Sequence, residues 1–196
     1  MFCFKVMTLA QKFGNSLSKN VYLETEVIDY KDLRYLMVTH FGFDGLIHRG
    51  ELIVHRELAS EVVQIFKELY QIKFPIEKMC LMKKYQYSDE FSMMDNNSSA
   101  FNFRRITNGI GLSQHAFGVA IDINPLINPY IEEGVILPPN GGCFISRDKH
   151  TLGMIRKDGP AYKIFQKYGW TWGGDWEDIK DYHHFEKPFN KKPAKD

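Results

Sequence analysis

Leu58, Val62, Ile65, Phe66, Leu69 and Tyr70 recur every three or four residues. That spacing predicts an amphipathic helix over Glu57–Ile72, closed by Pro75. Two strand-like apolar runs precede it, "LRYLMVTHFGF" and "GELIVHREL", with the turn-prone "GFDGLIHRG" between them. They predict a long hairpin or an irregular crossing. After the helix, "KMCLMKKY" and "SAFNFRR" read as buried strands on either side of the polar loop "SDEFSMMDNNS". "INPLINPYIEEGVILPPNGG" has little periodicity and four prolines, which predicts a long ordered loop over a site. "GPAYKIFQKYG" reads as a short helix between Pro160 and Gly169, "WTWGGDW" as a loop and "YHHFEKP" as a strand. Helices mixed with short antiparallel strands predict an α+β class, a mainly antiparallel sheet flanked by helices.

At 196 residues the chain suits one domain, with residues 187–196 a basic, solvated tail. Its net charge of +1 argues against nucleic-acid binding, which needs clustered Lys and Arg. No apolar run approaches the roughly 20 residues of a membrane span. The opening "MFCFKVMTLAQKFG" lacks the pattern of a signal peptide and reads as a first element or the trimmed start of a precursor. Cys3, Cys80 and Cys143 are odd in number and far apart, so they predict buried free thiols and neither disulfides nor a cysteine zinc site.

Within "SQHAFGVAIDINP" an apolar run ends on the carboxylate of Asp122. A buried charge needs a cation, a donor network or a metal. His115 and Asp122 lie about 23 Å apart in a straight strand and about 10 Å apart along a helix. They reach one ion at about 2 Å only if the chain folds back between them, and Gly118 suits that turn. The alternative is that His115 caps a loop while Asp122 pairs with an arginine. "DYHHFE" adds Asp181 and His184, three residues apart. In an extended segment only one of His183 and His184 faces a common ion. Two His and one carboxylate leave one tetrahedral position open, as in catalytic zinc sites, and a further carboxylate beside it can act as base.

"SQHAFGVAIDI", "WGGDW" and "DYHHFE" together resemble the zinc peptidases of the D-alanyl-D-alanine carboxypeptidase and L-alanyl-D-glutamate endopeptidase group. Their pattern, Ser-x-His-x-x-Gly-x-Ala-x-Asp and then an acid three places before a His-Phe pair, is met at Ser113, His115, Gly118, Ala120, Asp122, Asp181, His184 and Phe185. The resemblance runs from about Ser98 to Glu186 and implies a zinc site of the kind shared by these peptidases and the hedgehog domain. It implies Zn2+ held by His115, Asp122 and His184, with Asp181 as general base. Arg104 then meets substrate and the developing oxyanion, with Arg105 the alternative, and Ser113 and Trp172 line the substrate site.

The implied substrate is the stem peptide of bacterial peptidoglycan, which places the protein in the cell envelope, the periplasm or outside the cell. A monomer is expected. The rival reading is a zinc-containing binding module without hydrolysis, which has no use for both Asp181 and an upstream arginine. Of Trp170, Trp172 and Trp176, at least two are expected in the core and one in a substrate groove. His40, His48, His55 and His150 read as surface or satisfied loop histidines, and His183 as a support or exposed neighbour of His184.

Overall fold

The computed structural model describes residues 1–106, 110–148 and 151–187. Residues 188–196 of the basic tail, and His150, lie outside the described residues.

β1 (Phe4–Thr8) leads into α1 (Leu9–Phe13), which starts at a capping box made by Thr8 and Gln11. After α2 (Leu17–Asn20), the two apolar runs form β2 (Leu33–Phe41) and β3 (Ile47–His55) as one long antiparallel hairpin. Sheet order is β1-β2-β3, antiparallel throughout. Leu36, Val38, Leu52 and Val54 face α3 (Ala59–Gln71), which buries Val62, Ile65, Phe66 and Leu69 against them. The alternate residues Leu33, Tyr35 and Ile53 face a second cluster with Leu9, Val21, Ile28 and Phe101. Burial on both faces explains why these strands read as nearly continuous apolar runs.

Two further three-stranded antiparallel sheets carry the rest. One has β4 (Ala120–Asp122) and β7 (Thr171–Trp172) on either side of β9 (His184–Glu186). The other has β6 (Val135–Leu137) and β8 (Lys180–Asp181) on either side of β5 (Tyr130–Glu132). α5 (Pro160–Lys167) begins on Pro160, as the sequence predicts. Phe165 stacks flat on Phe185 of β9 with ring centroids 3.8 Å apart. Ile121, Phe165, Trp170 and Phe185 thereby join the α3 core, so one apolar cluster supports both the large sheet and the β4-β9-β7 sheet.

Several local expectations fail. Lys78–Tyr85 is not a strand: Met79, Met82 and Tyr85 are buried at three-residue spacing, and Met82–Tyr85 is a 3-10 turn. The polar loop after it holds α4 (Asp89–Met94), capped by Ser88, whose hydroxyl accepts from Phe91 N–H. The stretch 99–105 is extended without a ladder. Its bonds go to three different segments: Ser99 to Asp122, Phe101 to Ile53 and Asn102 to His115. The long stretch after Asp122 is not all loop, because Glu133 and Gly134, both at positive φ, turn β5 into β6. Two buried asparagines hold its start. Asn124 donates to the carbonyls of Pro75 and Gly153, and Asn128 to those of Ile123 and Gly153.

His40 and His55 are buried on β2 and β3 rather than placed on loops, while His48 is exposed and meets Asp44. Burial pulls both buried imidazoles below their ordinary pKa. The three cysteines are free, but they are not core thiols: Cys3 and Cys143 are exposed and Cys80 is half-buried.

Candidate metal centre

Ser113 starts a 3-10 turn over Gln114–Phe117, its hydroxyl accepting from His115 N–H at 3.3 Å. Gly118 ends that turn at φ +69°. Its carbonyl accepts from His55 N–H at 2.8 Å, and an added Cβ would sit 2.7 Å from that nitrogen. Only glycine fits both the conformation and the approach. The turn sends β4 back past His115, and Asp122 then stands directly opposite His184 on β9.

His115, Asp122 and His184 are all buried, and one ligand atom from each lies within 4.8 Å of the others. His115 Nδ1 faces the Ala100 carbonyl, which can only accept, so that nitrogen carries the proton. His184 Nε2 faces a Glu186 carboxylate oxygen at 3.1 Å and donates to it. The remaining ring nitrogens, His115 Nε2 and His184 Nδ1, face each other across 3.2 Å. Each also meets a different oxygen of Asp122 at 3.1 Å. These three separations approach the edge of a tetrahedron with zinc bonds of about 2.0–2.1 Å, which is about 3.3 Å. Two facing ring nitrogens beside a buried carboxylate form a set that a shared cation can bind, so the donor set fits a metal. The partners at Ala100 and Glu186 fix both rings, as outer partners of metal-bound histidines do.

The field of the site is correspondingly negative. Burial works against a charged His184, yet Asp122 and Glu186 push it up to about 10. Burial likewise opposes a charged His183, but Asp181 and Asp122 push it up to about 9. Burial would raise Asp122, and the surrounding histidines hold it well below the usual carboxylate range instead.

Asp181 is buried on β8, opposite Tyr130, and lines the same cleft as His184. Gly173 makes its space: a Cβ there would sit 2.8 Å from the Asp181 Cβ. His183 points inward, with Nδ1 donating to the Asn128 carbonyl at 2.7 Å and Nε2 3.0 Å from Asp181. It is therefore buried at the cleft wall and is not an exposed neighbour of His184.

The cleft has a volume of about 330 Å3. Arg104 and Ser113 line it, whereas Arg105 lines only an adjoining depression with Tyr22, Glu24 and Phe103, which Arg104 also borders. Trp172 does not line the cleft. It is buried in the core, donating to the Tyr182 carbonyl at 3.0 Å. Trp176 is the tryptophan at the cleft, its ring 5.5 Å from that of His184. Sequence reasoning missed Glu186 and Asp89. Glu186 was detectable, because two residues along a strand from His184 it shares that face. Asp89, which pairs with Arg104 at 3.0 Å, carried no signal in its spacing.

Among the described residues, no helix is long and apolar enough to cross a membrane. No curated protein and no solved structure matches the chain. Residues 107–187 do match a family model, that of the D-alanyl-D-alanine carboxypeptidases. The match covers His115, Asp122, Asp181 and His184, so the likeness to this peptidase family lies in the segment that builds the centre.

Proposed function

We propose that the protein is a zinc peptidase that hydrolyses the stem peptides of bacterial peptidoglycan, as a carboxypeptidase or an endopeptidase. The observation that carries this reading is the pair of histidine ring nitrogens facing each other beside Asp122, with Asp181 on the same cleft. His115, Asp122 and His184 would hold the zinc. When bound, zinc polarises a peptide carbonyl and brings the pKa of water toward about 7.

The chain's own residues do the rest. Asp181, its carboxylate set beside His183, takes the proton of the attacking water and returns it to the departing amine. Water thus adds across the C–N bond, giving a carboxylate and an amine. Arg104, at the cleft wall, donates to the carbonyl oxygen as charge develops on it. Ser113 holds the turn that presents His115 and also lines the cleft. Trp176 supplies an apolar wall.

Digestion of purified peptidoglycan by the zinc-loaded protein tests the reading, with products identified by mass spectrometry. New amino and carboxyl ends within the stem peptide are expected. Binding of wall fragments without any cleavage, zinc being in place, would identify a binding module instead.

A further inference from the structure

The extended stretch 99–105 forms a ridge between the cleft and the depression beside it. Arg104 reaches the cleft, while its neighbours Phe103 and Arg105 line only the depression, as alternation along an extended chain requires. Another wall comes from the stretch after α2. Val21 and Leu23 are buried there, so the alternate residues Tyr22 and Glu24 point outward into the depression. Tyr22 is 51% exposed and meets Phe103 edge to face, with ring centroids 5.8 Å apart. Arg104 and Leu112 border both spaces, so the depression, of about 270 Å3, continues the cleft.

The depression has the chemistry of a sugar site. Its backbone pairs with itself: Ser113 N–H donates to the Arg104 carbonyl, and Ile106 N–H to that of Gly111. Recognition is left to side chains. Tyr22, Glu24 and Arg105 are all exposed and offer a hydroxyl, a carboxylate and a guanidinium around the tyrosine ring. Glu24 and Arg105 carry opposite charges, which suits a neutral ligand better than a polyanion. An amino sugar meets these terms. Its ring C–H groups are weakly positive and pack on the negative face of an aromatic ring. Its hydroxyls donate to a carboxylate and accept from a guanidinium.

We propose that Tyr22, Glu24 and Arg105 form a saccharide subsite, which holds the amino sugar that carries a stem peptide while the peptide lies in the adjoining cleft. This rests on the peptidase reading and adds a substrate class to it: stem peptides still joined to their glycan, cut near the sugar end. Tyr22 contributes most, because its ring supplies the stacking face.

The test compares two probes, the pentapeptide L-Ala-D-isoGlu-L-Lys-D-Ala-D-Ala and the same peptide with N-acetylmuramic acid joined to its amino end. Binding is measured by calorimetry on zinc-loaded protein carrying Asp181→Asn to suppress turnover. The sugar-bearing probe should bind more tightly. Tyr22→Ala should cut that preference about tenfold, toward the upper end of what one stacked ring contributes. Tyr22→Phe should keep most of it, and unchanged zinc content certifies the fold of either variant. Equal affinity for the two probes, or binding of neither, would overturn the inference. So would an equal loss for both probes in Tyr22→Ala, which would assign the depression to peptide. Cleavage of peptidoglycan by the wild type is scored separately. Its absence would remove the peptidase reading, whereas cleavage without a sugar preference would remove only the subsite.

Discussion

β2 and β3 run nine residues each and bury apolar side chains on both faces, whereas β4, β8 and β9 run two or three and bury Asp122, Asp181 and His184. In the first region, association removes hydrocarbon from water and needs no particular partner atom. In the second, each buried polar group needs a specific counterpart, and the strands are too short to hold together by ladder bonds alone. The shared core under Phe165 and Phe185 lets the first region support the second. The large sheet and α3 therefore supply stability, and the small sheets hold a buried polar cluster whose groups need specific partners.

Substitutions can separate these roles. The largest expected effect is at His115. His115→Ala should abolish stoichiometric zinc binding, read by elemental analysis of protein purified without chelator, because a lone pair and its fixed ring are lost together. Retention of one zinc per chain would mean that the region does not depend on this cluster. Next is Phe66→Ala in the α3 core, expected to cost about 3–5 kcal/mol of stability. Denaturant unfolding with and without zinc should show the same loss. A loss that depends on zinc would show that the two regions are not separable.

Legibility in the sequence follows the same division. β2, β3, α3 and α5 were readable because apolar burial leaves a period in the chain. His115, Asp122 and His184 were readable as a set through the resemblance of their motifs to the zinc peptidases, since spacing alone left a capping histidine and a paired aspartate open, and Gly118 was readable because a shared ion demands a reversal there. Lys78–Tyr85 and residues 99–105 were misread because burial alone does not say whether backbone bonds form a ladder or scatter among segments. Trp172 was preferred to Trp176 as the groove residue. Both are aromatics beside glycines, and only the pairing of β7 with β9 decides which one turns into the core. Asp89 reaches Arg104 across 15 positions by tertiary packing, and no local pattern encodes that.

A smaller effect is expected at Glu186, which touches the centre only through His184. Glu186→Gln should weaken zinc binding about 10- to 100-fold in a chelator competition while leaving the apolar core intact. An unchanged affinity would show that the ring of His184 is fixed by its strand alone.

The smallest effect belongs to the large sheet. Burial pushes Glu51 up, but hydrogen bonds from Tyr35 and Lys12 outweigh it and hold the carboxylate below its usual range. Its folded-state pKa is therefore below the unfolded value of about 4.3. The stability it contributes is present above that value and fades as pH falls through the folded-state pKa. The group is partly exposed, so solvent screening keeps the contribution to about 1 kcal/mol or less. Glu51→Gln should flatten the acid limb of a stability profile by that amount and leave zinc content unchanged.

Asp181→Asn tests the central claim most directly, with zinc content and peptidoglycan turnover measured on the same preparation. The substitution keeps the shape of the side chain and removes the base. The account predicts about one zinc per chain, as in the wild type, and turnover lower by about 100- to 10,000-fold. Zinc lost from the variant, or turnover within a few-fold of the wild type, would contradict it.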